Sequence, residues 1–501
     1  MSPTAETSSP TPPTPLFDGA ALRAIEAAAA AELGDAHALM ARAGEAAWRE
    51  LLGHWPQAMR LLVVCGPGNN GGDGYVLAMH AQQAGRKVLV LVLRLPGHAP
   101  RGALAERAAA GYAQAGGRVV EFEGALPETE LIVDALFGIG LSRAPDADAS
   151  ALIDAINAHP APVLALDVPS GVDADRGYAY PSAVTAQRTL EFIAGKGGLR
   201  SGAALDRVGA LALADLGLPR ELYGVPASAH WLRAGDVSRW LSPRLRDSHK
   251  GRNGRVLCIG GDRGHGGALL LCAQAALRSG AGLLDAITRE AHVAPMLARL
   301  PEAMPRAIGE GDDPRATFAA ANVIAIGPGL GQETWGRELY RYALDSGKPL
   351  LFDADALNLL AAAPRRLPAD TVLTPHPGEA ARLLGSDTAT VQADRFAAVR
   401  ALVERYACTV VLKGAGTLVA APDRIVRVIG AGNPGMAVGG MGDVLSGVIA
   451  ALRAQGLDAF DAASCGALLH SLAGDDAARD GGERGLLPSD LMPWLRRRAN
   501  P

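Results

Sequence analysis

Aromatic residues are scarce, at 4% of the chain, and neither sign of charge dominates, with a formal net charge of -4. No basic run extends beyond Arg496, Arg497 and Arg498. That balance excludes nucleic-acid binding through bulk positive charge. Cys65, Cys258, Cys272, Cys408 and Cys465 form no CxxC pair. Their odd number and irregular spacing point to small core residues, with neither a disulfide framework nor a zinc site. No apolar run reaches the roughly 18 residues that a membrane-spanning helix needs. The first 15 residues are rich in Ser, Thr and Pro, and lack the basic and apolar regions of a secretory signal. Residues 1–15 are therefore expected to be a disordered tail, and the protein a cytoplasmic enzyme.

Ala and Gly are abundant instead. The 61 glycines suit α/β folds, which have many tight strand-to-helix turns. The 501 residues favour two or three domains. Short apolar runs at 61–65, 88–93, 119–122, 131–134 and 163–166 alternate with helical patterns at 20–52, 75–83 and 103–115, the first interrupted near Gly34. After a turn-rich stretch at 218–226, a second series follows at 256–260, 323–326, 350–352, 372–373 and 410–412. Strands alternating with helices specify parallel, doubly wound sheets. The fold expected is α/β, as two three-layer α/β/α domains over 16–227 and 228–501, the first Rossmann-like.

In such sheets ligands gather at the carboxyl ends of the strands. Three polar loops of the first half fall there: Asn69 to Asp73, the stretch from Asp134 to Arg143, and the loop holding Asp167, Ser170 and Asp173. Each could be a turn with Asp and Gly in ordinary places, but together they suggest one site. In the second half, strand ends carry Gly327, Gly329 and Gly331, then Asp353 and Asp355, then His376, then Lys413, Gly416 and Thr417. Lys413 and Thr417 beside glycine backbone suit a nucleotide pyrophosphate. A lysine in a β-turn is the plain alternative. His376 lies between two prolines, where it is either an ordinary loop histidine or a ring donor to substrate. Asp353 and Asp355 read first as caps of a helix starting near Ala356.

Residues 433–447, NPGMAVGGMGDVLSG, hold the organising loop. A glycine turn opening a helix points free N–H groups outward, and the helix dipole adds to them, which makes an anion site. Asp443 beside bound phosphate raises the local negative charge, so it reads as a base for a substrate hydroxyl. Alone, it could also be a helix N-cap.

Two families match these motifs. GPGNNGGDG, DALFGIGL and LDVPSGVD, with ALMARAG upstream, resemble the NAD(P)H-hydrate epimerase family (the YjeF N-terminal domain) over about residues 18–225. The resemblance implies a potassium ion held by Asn70, Asp134 and Ser170, oxygen donors that suit a hard cation. It implies substrate contacts from Asn69, Asn70, Gly71, Gly72 and Asp73, and from Gly138, Ile139, Gly140, Leu141, Ser142, Arg143 and Ala144. Asp167 is the implied acid/base and also contacts substrate. Arg143 would pair with the substrate pyrophosphate, or is a solvated surface charge.

SHKGRNGRVLCIGG, ALRSGAGL, GPGLG, DADALNLL, LTPHPGE, LKGAGT and GNPGMAVGGMGDVLSG resemble the NAD(P)H-hydrate dehydratase family over about residues 240–495. That family has a ribokinase-like fold. By resemblance Lys413, Gly414, Ala415, Gly416, Thr417 and Gly442 contact the adenine nucleotide. Ala268, Gly329, His376 and Asp443 contact the hydrated cofactor, with Asp443 catalytic. One departure is GDRGHGGA before Ala268, more polar than the small-residue pattern of the family.

Together the halves imply an enzyme that epimerises R- and S-NADHX and NADPHX and dehydrates the S form. ADP is the implied co-substrate, with Mg2+ screening its phosphates and AMP and phosphate as products. The partners expected are these small molecules and further copies of the chain, with no nucleic acid and no membrane. A ribokinase-class small-molecule kinase, with a non-catalytic binding domain at its N-terminus, shares the GGMGD motif and is the alternative.

Overall fold

The computed structural model describes residues 13–93 and 102–500. Most of the tail expected at 1–15 lies outside the described residues. Its end does not: Thr14–Phe17 is a strand, paired in parallel with Gly195–Lys196. The chain folds into two units, Pro15–Ala229 and the chain from His230 onward; the sequence placed a boundary near 228.

The first unit is built on a seven-stranded sheet. Its order is Arg118–Glu121, Lys87–Val92, Arg60–Cys65, Leu131–Ala135, Val163–Leu166, Arg188–Phe192 and Ala210–Ala214, all parallel. Leu61 to Cys65 and Leu131 to Ala135 are all buried, because helices cover both faces of a parallel sheet. The chain winds one way from Arg60–Cys65 and the other way from Leu131–Ala135. The loops after these two strands therefore flank the switch point, where an open α/β sheet holds its ligand.

The second unit repeats the logic. Met304–Ala307, Leu283–Thr288, Arg255–Ile259, Val323–Ile326, Leu350–Phe352, Val372–Leu373 and Thr409–Leu412 lie in parallel in that order. Leu418–Ala420 and Val426–Ile429 continue the sheet antiparallel. Its switch point falls between Arg255–Ile259 and Val323–Ile326. The Ala-rich helices Met441–Ala454 and Ala459–Gly481 bury most of their residues in its core.

Two helices begin earlier than periodicity indicated. The helix placed at 75–83 runs Asn69–Gln83, so the NNGGD loop is its first turn. The helix following the GGMGD turn runs Met441–Ala454, so Asp443 lies inside its first turn.

Candidate active sites

At the first switch point the two loops enclose a cavity of ≈ 790 Å³. Asn69, Asn70, Asp73, Gly138, Ile139, Gly140, Leu141, Ser142, Arg143 and Asp167 all line it. Gly71 and Gly72 are buried just behind, in the same helix turn, and Ala144 is exposed beyond the lining stretch. Gly138 links the two sides: a Cβ there would lie 3.2 Å from Asp167 Oδ2 and 3.3 Å from Asn70 Cβ.

Asp167 holds a left-handed backbone, φ 64°, a conformation uncommon outside glycine and found where surrounding structure enforces it. Its Oδ1 lies 2.6 Å from Lys196 Nζ. The Lys196 ammonium also donates to the carbonyls of Phe192 (3.0 Å) and Ala194 (3.2 Å). All three of its protons are thus engaged and its direction is fixed. Beneath it, the buried carboxylate of Glu191 accepts from the Lys196 backbone N–H (2.7 Å) and pairs with Arg200 at 2.6 Å. Sequence reading missed Lys196; the available signal was a lysine among glycines just after an apolar strand, the pattern that drew attention to Lys413.

Two more carboxyls face this cavity. Burial pushes Asp73 well above the usual carboxylate range, and the charges of Asp167 and Glu26 push the same way. Glu26 is raised by burial and then by Asp167. The cavity thus sets an ion-paired carboxylate beside two carboxyls that favour their neutral form.

Behind the cavity, Asp134 and Ser170 are buried and bonded. Ser170 Oγ donates to Asp134 Oδ1 (2.7 Å), and the Ser170 N–H to Oδ2 (2.8 Å). Burial raises Asp134 to about 6 despite these bonds. Asn70 donates its amide to the carbonyls of Phe137 (2.9 Å) and Leu166 (3.1 Å), while its Oδ1 is buried with no partner. An orphaned amide oxygen beside a serine hydroxyl and a carboxylate is a donor set of hard oxygens, which fits an alkali cation.

In the second unit, Gly329 approaches Ala268 at its switch point: a Cβ on Gly329 would lie 3.4 Å from Ala268 Cβ. The other residues singled out meet on the neighbouring strand ends. Lys413 Nζ lies 2.8 Å from Asp353 Oδ1 and 3.7 Å from Glu379 Oε2. Asp353 also accepts from Ser446 Oγ at 2.9 Å. This corrects the reading of Asp353 as a cap: it occupies the N-cap position of Ala354–Ala362, but its side chain makes no capping bond. A largely buried lysine needs a counter-charge more than this helix end needs a side-chain acceptor. Asp355 bonds the Gly331 N–H (2.9 Å), tying the GPGLG loop to the DADAL loop.

His376 Nδ1 accepts from the N–H groups of Gly378 (3.0 Å) and Glu379 (3.4 Å). That cap leaves the proton on Nε2, so the half-exposed edge of the ring is a donor. Burial, then Lys413, holds the imidazole below its ordinary value and favours the neutral form. Arg395, fully buried, donates to the carbonyls of Leu412 (3.3 Å) and Lys413 (3.2 Å). Thr417 Oγ1 closes the KGAGT turn on Gly414 O at 3.0 Å. Arg395, a support of this turn, gave no signal in the sequence, and Glu379 stood in the LTPHPGE motif without being given a role.

Gly440, at φ 97°, opens the helix that carries Asp443, and only glycine takes that turn without strain. Gly442 lets the backbone touch the ion pair: a Cβ there would lie 3.1 Å from Lys413 Nζ. Asp443 is raised to about 7, first by burial and then by Asp353, with Lys413 opposing. A carboxyl titrating near neutrality, at a helix N-terminus and beside a lysine, can take a proton from an alcohol.

These features define a protein class with two α/β domains, each holding a cluster of carboxyls and a lysine at the carboxyl ends of its parallel strands. Residues 36–198 match the model of the YjeF-related protein N-terminus, and residues 256–497 match that of NAD(P)H-hydrate dehydratase. The bifunctional NAD(P)H-hydrate repair enzyme Nnr of Escherichia coli K12 is 46% identical, with 92% of this chain and 89% of that one covered. Its counterpart in Coxiella burnetii is 45% identical over 97% of this chain and 100% of the other. A ribokinase-like superfamily protein from Enterococcus faecalis V583 superposes with a TM-score of 0.51 at 31% identity, covering 54% of this chain and 95% of its own. The chain belongs to the family of bifunctional NAD(P)H-hydrate repair enzymes. Among the described residues no helix is long and apolar enough to cross a membrane.

Proposed function

We propose that the protein returns hydrated nicotinamide cofactors to use, epimerising NADHX and NADPHX in the first unit and dehydrating the S epimer in the second, at the expense of ADP. The hydrate carries a hydroxyl on C6, next to the ring nitrogen. In the first cavity the nitrogen lone pair expels that oxygen as water, and water returns to either face of the ring. Asp167, fixed by Lys196, handles the proton of the returning water. Asp73, whose neutral form burial favours, faces the same space as a donor to the leaving oxygen. Asn70, Asp134 and Ser170 would hold a potassium ion whose charge lowers the cost of burying Asp134.

In the second unit Asp443 removes the proton from the C6 hydroxyl, and that oxygen attacks the terminal phosphorus of ADP. AMP departs. The phosphate ester then leaves C6 with help from the ring nitrogen, and loss of a proton from C5 regenerates NADH or NADPH. His376 Nε2, which lies 3.5 Å from Glu379 Oε1, would donate to the substrate, and the KGAGT turn with Gly442 would support the nucleotide. Magnesium would travel with the nucleotide, bound to phosphate oxygens and keeping several of its waters. Among the described residues no group of three or more His, Cys, Asp or Glu could hold a metal by itself.

The observation that carries this reading is Asp443, brought to about 7 beside the Lys413–Asp353 pair. The experiment is incubation with mixed epimers and ADP or ATP, following the ultraviolet absorbance of reduced nicotinamide. Full conversion of both epimers is expected. A phosphorylated product that accumulates without reduced cofactor would establish the kinase alternative instead.

A further inference from the structure

The SHKGRNG turn, residues 248–254, has no part in either active site. It feeds the strand Arg255–Ile259 from its amino-terminal end and borders a groove of ≈ 820 Å³. Arg244, Arg252, Arg278 and Arg496 line that groove, and no acidic side chain among the described residues does. Arg244 is committed to the carbonyl of Gly280 (2.6 Å) and to Gln455 Oε1 (2.8 Å). Arg252, Arg278 and Arg496 have no carboxylate partner among the described residues. The helix-end carbonyls that would repel an anion already accept bonds, Gly280 O from Arg244 and Ser279 O from Gln455 Nε2 (3.0 Å). Independently, Ser279 lines the groove at 3% exposure, and its Oγ is buried with no hydrogen-bond partner. Buried hydroxyls are ordinarily bonded, so this one lacks a partner that the protein itself does not provide.

We propose that this groove binds a phosphate-bearing anion. The unpaired guanidiniums take phosphoryl oxygens, whose geometry their planar fork matches, and Ser279 donates its hydroxyl to one of them. The Trp240 side chain forms one wall, against which a base can stack. The site is separate from the catalytic nucleotide site. It lies at the carboxyl end of Met441–Ala454, whose first turn holds Asp443; 14 residues of helix place the two about 20 Å apart.

The test is calorimetric titration of the full chain with inorganic pyrophosphate, for the wild type and for an Arg252→Ala/Arg278→Ala variant. Both arginines are exposed, so the variant should fold, which circular dichroism checks. A binding component that weakens at least tenfold in the variant, and severalfold in Ser279→Ala, is expected. ADP in a second arm separates the sources: tighter binding than pyrophosphate at this component identifies a nucleotide, equal binding a free polyphosphate. Identical isotherms for wild type and double variant overturn the proposal. So does an absence of pyrophosphate binding together with a changed sedimentation coefficient in the variant, which would make the groove an interface between copies.

Discussion

Replacing Asp443 by Asn should destroy dehydration and at the same time stabilise the fold. The carboxyl titrates at about 7 in the folded protein, against an ordinary 3.8. The folded state therefore binds the proton more tightly than the unfolded chain, and ionising Asp443 costs stability. Well below 3.8 both states are neutral and there is no cost. Between the two values the unfolded chain ionises alone and the cost grows with pH. Above 7 the cost is complete, at roughly 4 kcal/mol, from about 1.4 kcal/mol per pH unit of separation. Asparagine, nearly isosteric, removes that cost. Asp443→Asn should therefore melt higher than wild type at pH 8, by on the order of 5 °C or more at about 2 °C per kcal/mol for a unit this large. At pH 5 the gain should shrink to less than half. Turnover should fall by on the order of 10²-fold or more, and the acid limb near pH 7 in the wild-type rate profile should vanish. Thermal melts at both pH values, followed on the second unit's transition, supply the measurement. A stabilisation over wild type no greater at pH 8 than at pH 5, or a variant that retains the acid limb, would refute the assignment of that ionisation to Asp443.

Asp167→Asn should abolish epimerisation and leave dehydration of the S epimer intact; separate assays of each epimer check this, and a joint loss would contradict two independent sites. Asn70→Ala removes the orphaned oxygen behind the first cavity. Epimerase rate measured in potassium chloride against choline chloride should show a potassium dependence in the wild type that the variant has lost. Asp353→Asn should free Lys413 to pair with Asp443 and remove a repulsion, moving the acid limb of dehydration to lower pH. An upward or absent shift would mean that Asp353 does not govern Asp443.

The sheets were legible because buried parallel strands must be continuously apolar, and runs such as 61–65 and 323–326 are. The helix starts were not, because both have glycine in their first turn, where propensity opposes helix and close packing overrides it. Gly71 packs onto the carbonyl of Gly66 and Gly72 onto Met40; a Cβ at either would lie within 2.4 Å of its neighbour. Candidate site residues were picked out from strand-end loops and from resemblance, but the side chains they pair with were not. Lys196 reaches Asp167, Lys413 reaches Asp353, and Ser446 reaches Asp353 across the fold. Nothing local in those segments specifies which carboxylate a lysine will choose, and that choice fixes the chemistry.

The contrast between the two sites follows from where each lysine lies. In the first unit Lys196 binds the proposed acid/base carboxylate, Asp167, at 2.6 Å, and the carboxyls that burial raises are its neighbours Asp73 and Glu26. An ion-paired base and a neutral acid in one cavity suit a reaction that removes and restores the same oxygen. In the second unit Lys413 is spent on Asp353 and Glu379, so Asp443 faces two negative neighbours with only a share of one positive charge. Burial raises its carboxyl first, and these neighbours then carry it further, to about 7. A base tied to its own lysine there would be too weak to take an alcohol proton, and one with no lysine near would repel the phosphates it must work beside. The intermediate arrangement permits both, and Gly442 maintains it by letting the helix backbone come within reach of the Lys413 ammonium.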